Sequence, residues 1–149
     1  NIANQTDVKI ISWKGRCEVH ERFTAKEILA YKEQHENIIV LAHPECSPEV
    51  IEVSDFTGST AGMNNYVKDN QPEKVIMVTE CSMSDNVAIE NPNVEFVRPC
   101  NLCPHMKRIT LKKIYDALRF DQHEVTVDDQ IIDKARLSID RMLEIGRQK

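Results

Sequence analysis

Apolar residues fall into short, nearly unbroken runs separated by stretches of helical spacing. Val8-Lys9-Ile10-Ile11-Ser12-Trp13 predicts a first strand from Asp7, stopping at the polar Lys14-Gly15-Arg16-Cys17 loop. Thr24 then opens a helix through Ile28, Leu29 and Tyr31, with Glu27 completing a capping box. Ile38-Ile39-Val40-Leu41-Ala42 predicts a second strand that ends at His43-Pro44-Glu45-Cys46, and a short helix follows from Pro48 to Val53. Residues 54–60 form a loop before a helix carrying Met63, Tyr66 and Val67. Val75–Val78 gives a third strand and Val94–Val97 a short fourth.

Strands that are apolar throughout and alternate with helices are buried on both faces, which predicts a parallel sheet and the α/β class. The expected unit is a three-layer, Rossmann-like domain over residues 1–100. Residues 101–149 read as a loop and helical extension, with Leu111, Ile114, Tyr115 and Leu118 on one amphipathic helix and Ile131, Ile132, Ala135, Ile139, Met142 and Leu143 on another. No internal repeat or Gly/Ser linker interrupts the chain.

Composition narrows the function. With 149 residues and 41% hydrophobic content the chain can bury a real core. A net charge of −5 opposes a nucleic-acid partner, whose phosphates need a clustered basic surface. No apolar run approaches the roughly 20 residues of a membrane span, and residues 1–15 lack a signal-peptide pattern, so a cytoplasmic location is expected. Five cysteines then suit reduced thiols, metal ligands or reactive groups better than disulfides. The start at Asn1, without Met, reads as a piece of something longer.

In parallel α/β sheets ligands bind beyond the carboxyl ends of the strands, and the chemistry-bearing residues collect there. Cys17 and His20 follow the first predicted strand, His43 and Glu45 the second, Thr79, Glu80 and Cys81 the third, and Cys100 and Cys103 the fourth. Cys100-Asn101-Leu102-Cys103 has the spacing of zinc, iron–sulfur and redox sites, or is a pair of reduced structural thiols. Cys46 and Cys81 read as packed thiols that bind no metal. His20 could serve as acid or base beside a metal-bound Cys17 thiolate, or be a loop histidine bonded to backbone. His43-Pro44-Glu45 holds an imidazole and a carboxylate on a rigid turn, the pair acid–base chemistry needs, though a plain strand exit has the same form. Gly58-Ser59-Thr60 offers hydroxyls and amides to a phosphate or carboxylate, or simply caps a helix. His35, His105 and His123 read as solvated.

Taken together, Trp13-Lys14-Gly15-Arg16-Cys17-Glu18-Val19-His20-Glu21-Arg22-Phe23, His43-Pro44-Glu45-Cys46, Asp55-Phe56-Thr57-Gly58-Ser59-Thr60, Thr79-Glu80 and Cys100-Asn101-Leu102-Cys103-Pro104-His105-Met106-Lys107 resemble the quinolinate synthase family in order and spacing. The likeness runs on to Arg141-Met142-Leu143-Glu144. It implies one part of a pseudo-threefold, three-domain fold around a 4Fe–4S cluster, with the N-terminal region missing. The implied transferase reaction condenses iminoaspartate with dihydroxyacetone phosphate to quinolinate for NAD biosynthesis. By resemblance Cys17 and Cys103 are cluster ligands, Cys100 a neighbour able to form a disulfide with Cys103 when no cluster is present, and the cluster an open-site Lewis acid. Glu45, His43 and His20 are the implied catalytic residues; His43, Pro44, Glu45, Ser59 and Thr60 the implied substrate-binding ones. Two cluster cysteines fall short of the family's three, so the isolated chain is expected to be inactive, with the missing N-terminal domains as partners and a homodimer as a candidate assembly. The competing readings are a small metal or redox module built on Cys100 and Cys103, and an inert domain that packs against a partner.

Overall fold

The computed structural model describes residues 1–147, in two compact units that divide between Arg108 and Ile109. The first is an α/β unit. Its elements in chain order are α1 (Ala25–Gln34), β1 (Ile38–Ala42), α2 (Pro48–Glu52), β2 (Phe56–Thr57), α3 (Thr60–Asn70), β3 (Lys74–Val78), α4 (Cys81–Glu90) and β4 (Glu95–Val97). The four strands form one sheet in the order β2-β1-β3-β4, and every pairing is parallel.

The two central strands explain the layering. Side chains alternate across a strand. On one face Ile38, Val40, Ala42, Ile76 and Val78 pack with Ile28 of α1 and Val50 of α2. On the other, Leu41, Val75 and Met77 pack with Met63 and Val67 of α3 and Val87 of α4. Both faces being covered, the runs carry no polar alternation, as the sequence predicts for a parallel sheet. Thr24 caps α1 in the predicted box, with both reciprocal bonds to Glu27 present. Asp55 ties the edge of the sheet to α1, its carboxylate accepting from the Val40 amide at 2.7 Å and from the Lys32 ammonium at 2.9 Å.

Three local expectations fail. Val8–Trp13 is not a strand: the segment pairs with nothing, and Ile11 and Trp13 stand 91% and 92% exposed. Strand propensity is a preference for a pleated, half-buried surface, and without a neighbouring strand it has nothing to act on. Phe56–Thr57, expected as loop, pairs with Leu41 and Ala42 as a minimal edge strand. Cys81–Glu90, assigned no element from sequence, is a helix capped by the Glu80 carboxylate, which accepts from the Ser82 amide at 2.9 Å.

The second unit holds α5 (Leu111–Phe120) and α6 (Asp129–Gly146), capped by Thr110 and Asp128. Neither helix has a buried residue, and Leu111 and Leu118 are 83% and 79% exposed. No helix among the described residues is long and apolar enough to cross a membrane.

Candidate functional site

The strand order reverses between β1 and β3, because β1 connects outward to β2 and β3 outward to β4. Loops leaving the two strands part in opposite directions there and open a crevice. One side is the turn after β1: the His43 amide donates to Val78 O at 3.3 Å, extending the ladder, and the Cys46 amide closes the turn onto His43 O at 2.9 Å. The other side is Thr79 and Glu80, after β3. A parallel bridge between Glu80 and Asn101 then brings the Cys103 loop alongside.

Cys17 and His20 arrive from a turn anchored by Val19 and Phe23, which are 2% and 4% exposed in the core. A cavity of about 340 Å³ results, bordered by Cys17, His20, His43, Glu45, Thr60 and Cys103, with Thr79, Glu80, Ser82 and Asn86 completing its wall. Of the residues implied as catalytic, substrate-binding or cluster-ligating, Ser59 and Pro44 do not border it. Ser59 caps α3, accepting from the Gly62 amide at 3.1 Å, while Pro44 shapes the turn and its carbonyl accepts from the Asn1 side chain at 2.9 Å. Ser82, Met83 and Asn86 were missed because α4 was missed. The usable signal was Met83 and Val87, one helical turn apart behind a capping Glu80.

The imidazoles of His20 and His43 stack with centroids 4.4 Å apart and planes at 9°. Nε2 of His20 lies 3.0 Å from the Thr79 hydroxyl, and its Nδ1 lies 3.0 Å from Glu45 Oε2. That second approach has the distance of a hydrogen bond but not its direction, so Nδ1 is buried with no hydrogen-bond partner. His43 Nδ1 accepts the Glu45 amide N–H at 3.3 Å. Burial, and then the neighbouring His43, push the His20 pKa below its ordinary value against the opposing pull of Glu45. Both effects favour the neutral form of the imidazole.

The Cys103 sulfur accepts the Met106 amide at 3.5 Å. Cys46 is buried below the cavity, its thiol pushed up to about 11 by desolvation, and donates to Val78 O at 3.4 Å. Cys81 and Cys100 form a disulfide, with Cα atoms 5.1 Å apart. This corrects three expectations: two of the five cysteines form a disulfide rather than staying reduced, Cys100 pairs with Cys81 rather than Cys103, and Cys81 is not a packed thiol. The parallel Glu80–Asn101 bridge brings the two cysteine-bearing segments alongside each other.

Residues 1–144 match the family model described as quinolinate synthetase A protein. The chain is 60% identical over 145 residues to a quinolinate synthase of Sinorhizobium fredii, covering 97% of this chain and 40% of that protein. It is 61% identical to quinolinate synthase 1 of Mesorhizobium japonicum, over 96% of this chain and 44% of the relative. With a quinolinate synthase of Xylella fastidiosa the identity is 57%, over 97% and 43% of the two. The chain therefore spans about two fifths of the length of these curated relatives.

Proposed function

Because this chain belongs to the quinolinate synthetase A family, we propose that its cavity is one share of a quinolinate synthase active centre in a longer, cytoplasmic protein. The whole protein would condense iminoaspartate with dihydroxyacetone phosphate to quinolinate, releasing phosphate and water, as a transferase step of NAD biosynthesis. The supporting observation is convergence: Cys17, His20, His43, Glu45, Thr60 and Cys103, separate in sequence, border one cavity of about 340 Å³.

The donor set fits two of the ligands of an iron–sulfur cluster. Cys17 and Cys103 are free thiols on the same cavity, soft donors of the kind such clusters use. A third thiolate is not on offer here, since Cys46 is buried and held protonated and Cys81 and Cys100 are bonded to each other. It would come from N-terminal domains of the pseudo-threefold whole. A 4Fe–4S cluster held by three thiolates supplies an open iron that acts as a Lewis acid.

The chain's own residues would do the rest. Glu45 is the proton-transfer group for the isomerisation and dehydrations, with the stacked His20 and His43 imidazoles beside it on the same cavity as further catalytic groups. Pro44 holds the turn, while Thr60, on the cavity wall at the N-terminus of α3, would take a substrate carboxylate or phosphate, with Ser59 beside it capping the helix. The reading of Cys100 and Cys103 as a metal-binding thiol pair loses support, because Cys100 is committed to Cys81.

The test is anaerobic reconstitution with iron and sulfide, for these 149 residues and for the chain extended through the N-terminal domains. Stable iron uptake and product formation are expected only in the extended protein, with both lost in Cys17→Ser and Cys103→Ser. Uptake unaffected by either substitution would overturn the assignment.

A further inference from the structure

The stretch from Cys17 to Gln34 occurs twice. Counted 86 positions on, Cys17 becomes Cys103, Arg22 becomes Arg108, Thr24 becomes Thr110, Lys26 becomes Lys112 and Ile28 becomes Ile114. The backbone keeps the same count. A 3-10 turn at His20–Arg22 recurs at Met106–Arg108, and α1 recurs as α5, ten residues each behind a threonine cap. Amide bonds repeat pair for pair. Glu21 donates to Cys17 O and Lys107 to Cys103 O, both at 3.1 Å; Arg22 donates to Val19 O at 3.3 Å and Arg108 to His105 O at 3.2 Å. Ile28 donates to Thr24 O at 3.1 Å and Ile114 to Thr110 O at 3.0 Å. Upstream, Val8-Lys9-Ile10-Ile11 falls on Val94-Glu95-Phe96-Val97, the run that carries β4. Only six of the 27 positions from Val8 to Gln34 are identical, so a repeat that the sequence conceals is plain in the structure.

The two copies differ in what surrounds them. Phe23 and Ile28 are 4% and 0% exposed against the sheet, whereas their counterparts Ile109 and Ile114 are 66% and 46% exposed. No strand follows β4 among the described residues. Conversely, Phe96 and Val97 pack on opposite faces of the sheet, while their counterparts Ile10 and Ile11 are 45% and 91% exposed and join no ladder. One copy has a strand without a sheet, and the other a helix without one.

We infer that Val8–Ile11 is a strand of a parallel sheet outside these 149 residues, and that α5 covers a face of such a sheet as α1 does here. This deepens the reading of the chain as one share of a longer protein and needs neither the cluster nor the reaction. More than half the length of the relatives lies outside the chain, enough for further units of this kind. A second copy cannot serve, because its β3 is already flanked by β4 and the face that α1 covers is closed by Ile28. Joining a ladder satisfies the free amides of Val8–Ile11 and buries Ile10 and Ile11 on opposite faces. Docking α5 removes Ile109 and Ile114 from water.

Hydrogen–deuterium exchange read by mass spectrometry tests this, in the 149-residue chain and in the protein extended through the N-terminal domains, both prepared without iron. Protection of β4 in every sample certifies that the first unit is folded. The amides of Val8–Ile11 and α5 are expected to exchange about a hundredfold more slowly in the extended protein than in the short chain. Ile10→Pro should remove that added protection from the strand, and Ile114→Asp from α5, while neither moves the unfolding midpoint of the short chain. Because no iron is present, failure of the cluster assignment leaves these results untouched. Equal exchange in the two proteins overturns the inference. So does protection in the short chain that grows with its concentration, which would assign both elements to a second copy.

Discussion

Thr79→Val replaces a hydroxyl by a methyl group at almost constant volume, so its cost isolates one interaction. Thr79 and His20 are 4% and 6% exposed, and their side chains meet at 3.0 Å. Removing the hydroxyl strands His20 Nε2 where water cannot reach it, at a cost of about 1–3 kcal/mol. With a urea dependence of about 2 kcal/mol per molar, the unfolding midpoint of the first unit falls by about 0.5–1.5 M. Circular dichroism during urea titration reads this directly. Because a buried methyl is itself stabilising, the second arm is a cycle in the His20→Leu background, where the same change should no longer be destabilising. A midpoint shift under about 0.25 M, or equal losses in both backgrounds, would refute the claim that Thr79 acts through His20.

Other outcomes follow from the same description. The Cys81–Cys100 bond closes a loop of sequence separation 19, so Cys81→Ser with Cys100→Ser should cost about 3 kcal/mol, measured by denaturant unfolding without reductant. Burial raises the Cys46 thiol from 9.0 to about 11; mass spectrometry after alkylation at pH 8 should find Cys17 and Cys103 modified and Cys46 intact. The sign for stability follows: an unfolded chain ionises Cys46 first, so this contribution is complete below pH 9, is lost as pH rises toward 11, and should vanish from the pH profile of Cys46→Ala. A Cβ on Gly58 would stand 2.6 Å from the Phe56 ring, which packs on Tyr66 at a centroid distance of 4.9 Å. Gly58→Ala should therefore destabilise by about 1–3 kcal/mol in thermal melts.

The central strands were legible because burial on both faces leaves a continuous apolar run, and nothing but a covered strand wants Ile38–Ala42 or Val75–Val78. The crevice was legible for a related reason: strand ends are where a polar group can approach a sheet, and His43, Glu45 and Thr79 stand there. What the sequence hid depends on partners distant along the chain. Val8–Trp13 has strand composition but no ladder to join, whereas Phe56–Thr57 has only two residues and a ladder waiting. The Cys81–Cys100 pairing joins segments that a bridge brings together only in three dimensions, whereas the family resemblance implied the nearer Cys103. Glu80 disguised α4, since a carboxylate at that position reads equally as catalytic or as a cap.

The brevity of β2 and β4, two and three residues, bears on how the protein behaves when concentrated. A sheet recruits foreign strands through the free amides and carbonyls of its borders, and borders this short offer almost no template for growth. Self-association of the chain should instead run through side-chain faces such as Leu111, Leu118 and Leu137. Contacts of that kind tighten with kosmotropic salts and loosen in urea well before the parallel sheet gives way, so turbidity and folding can be titrated apart.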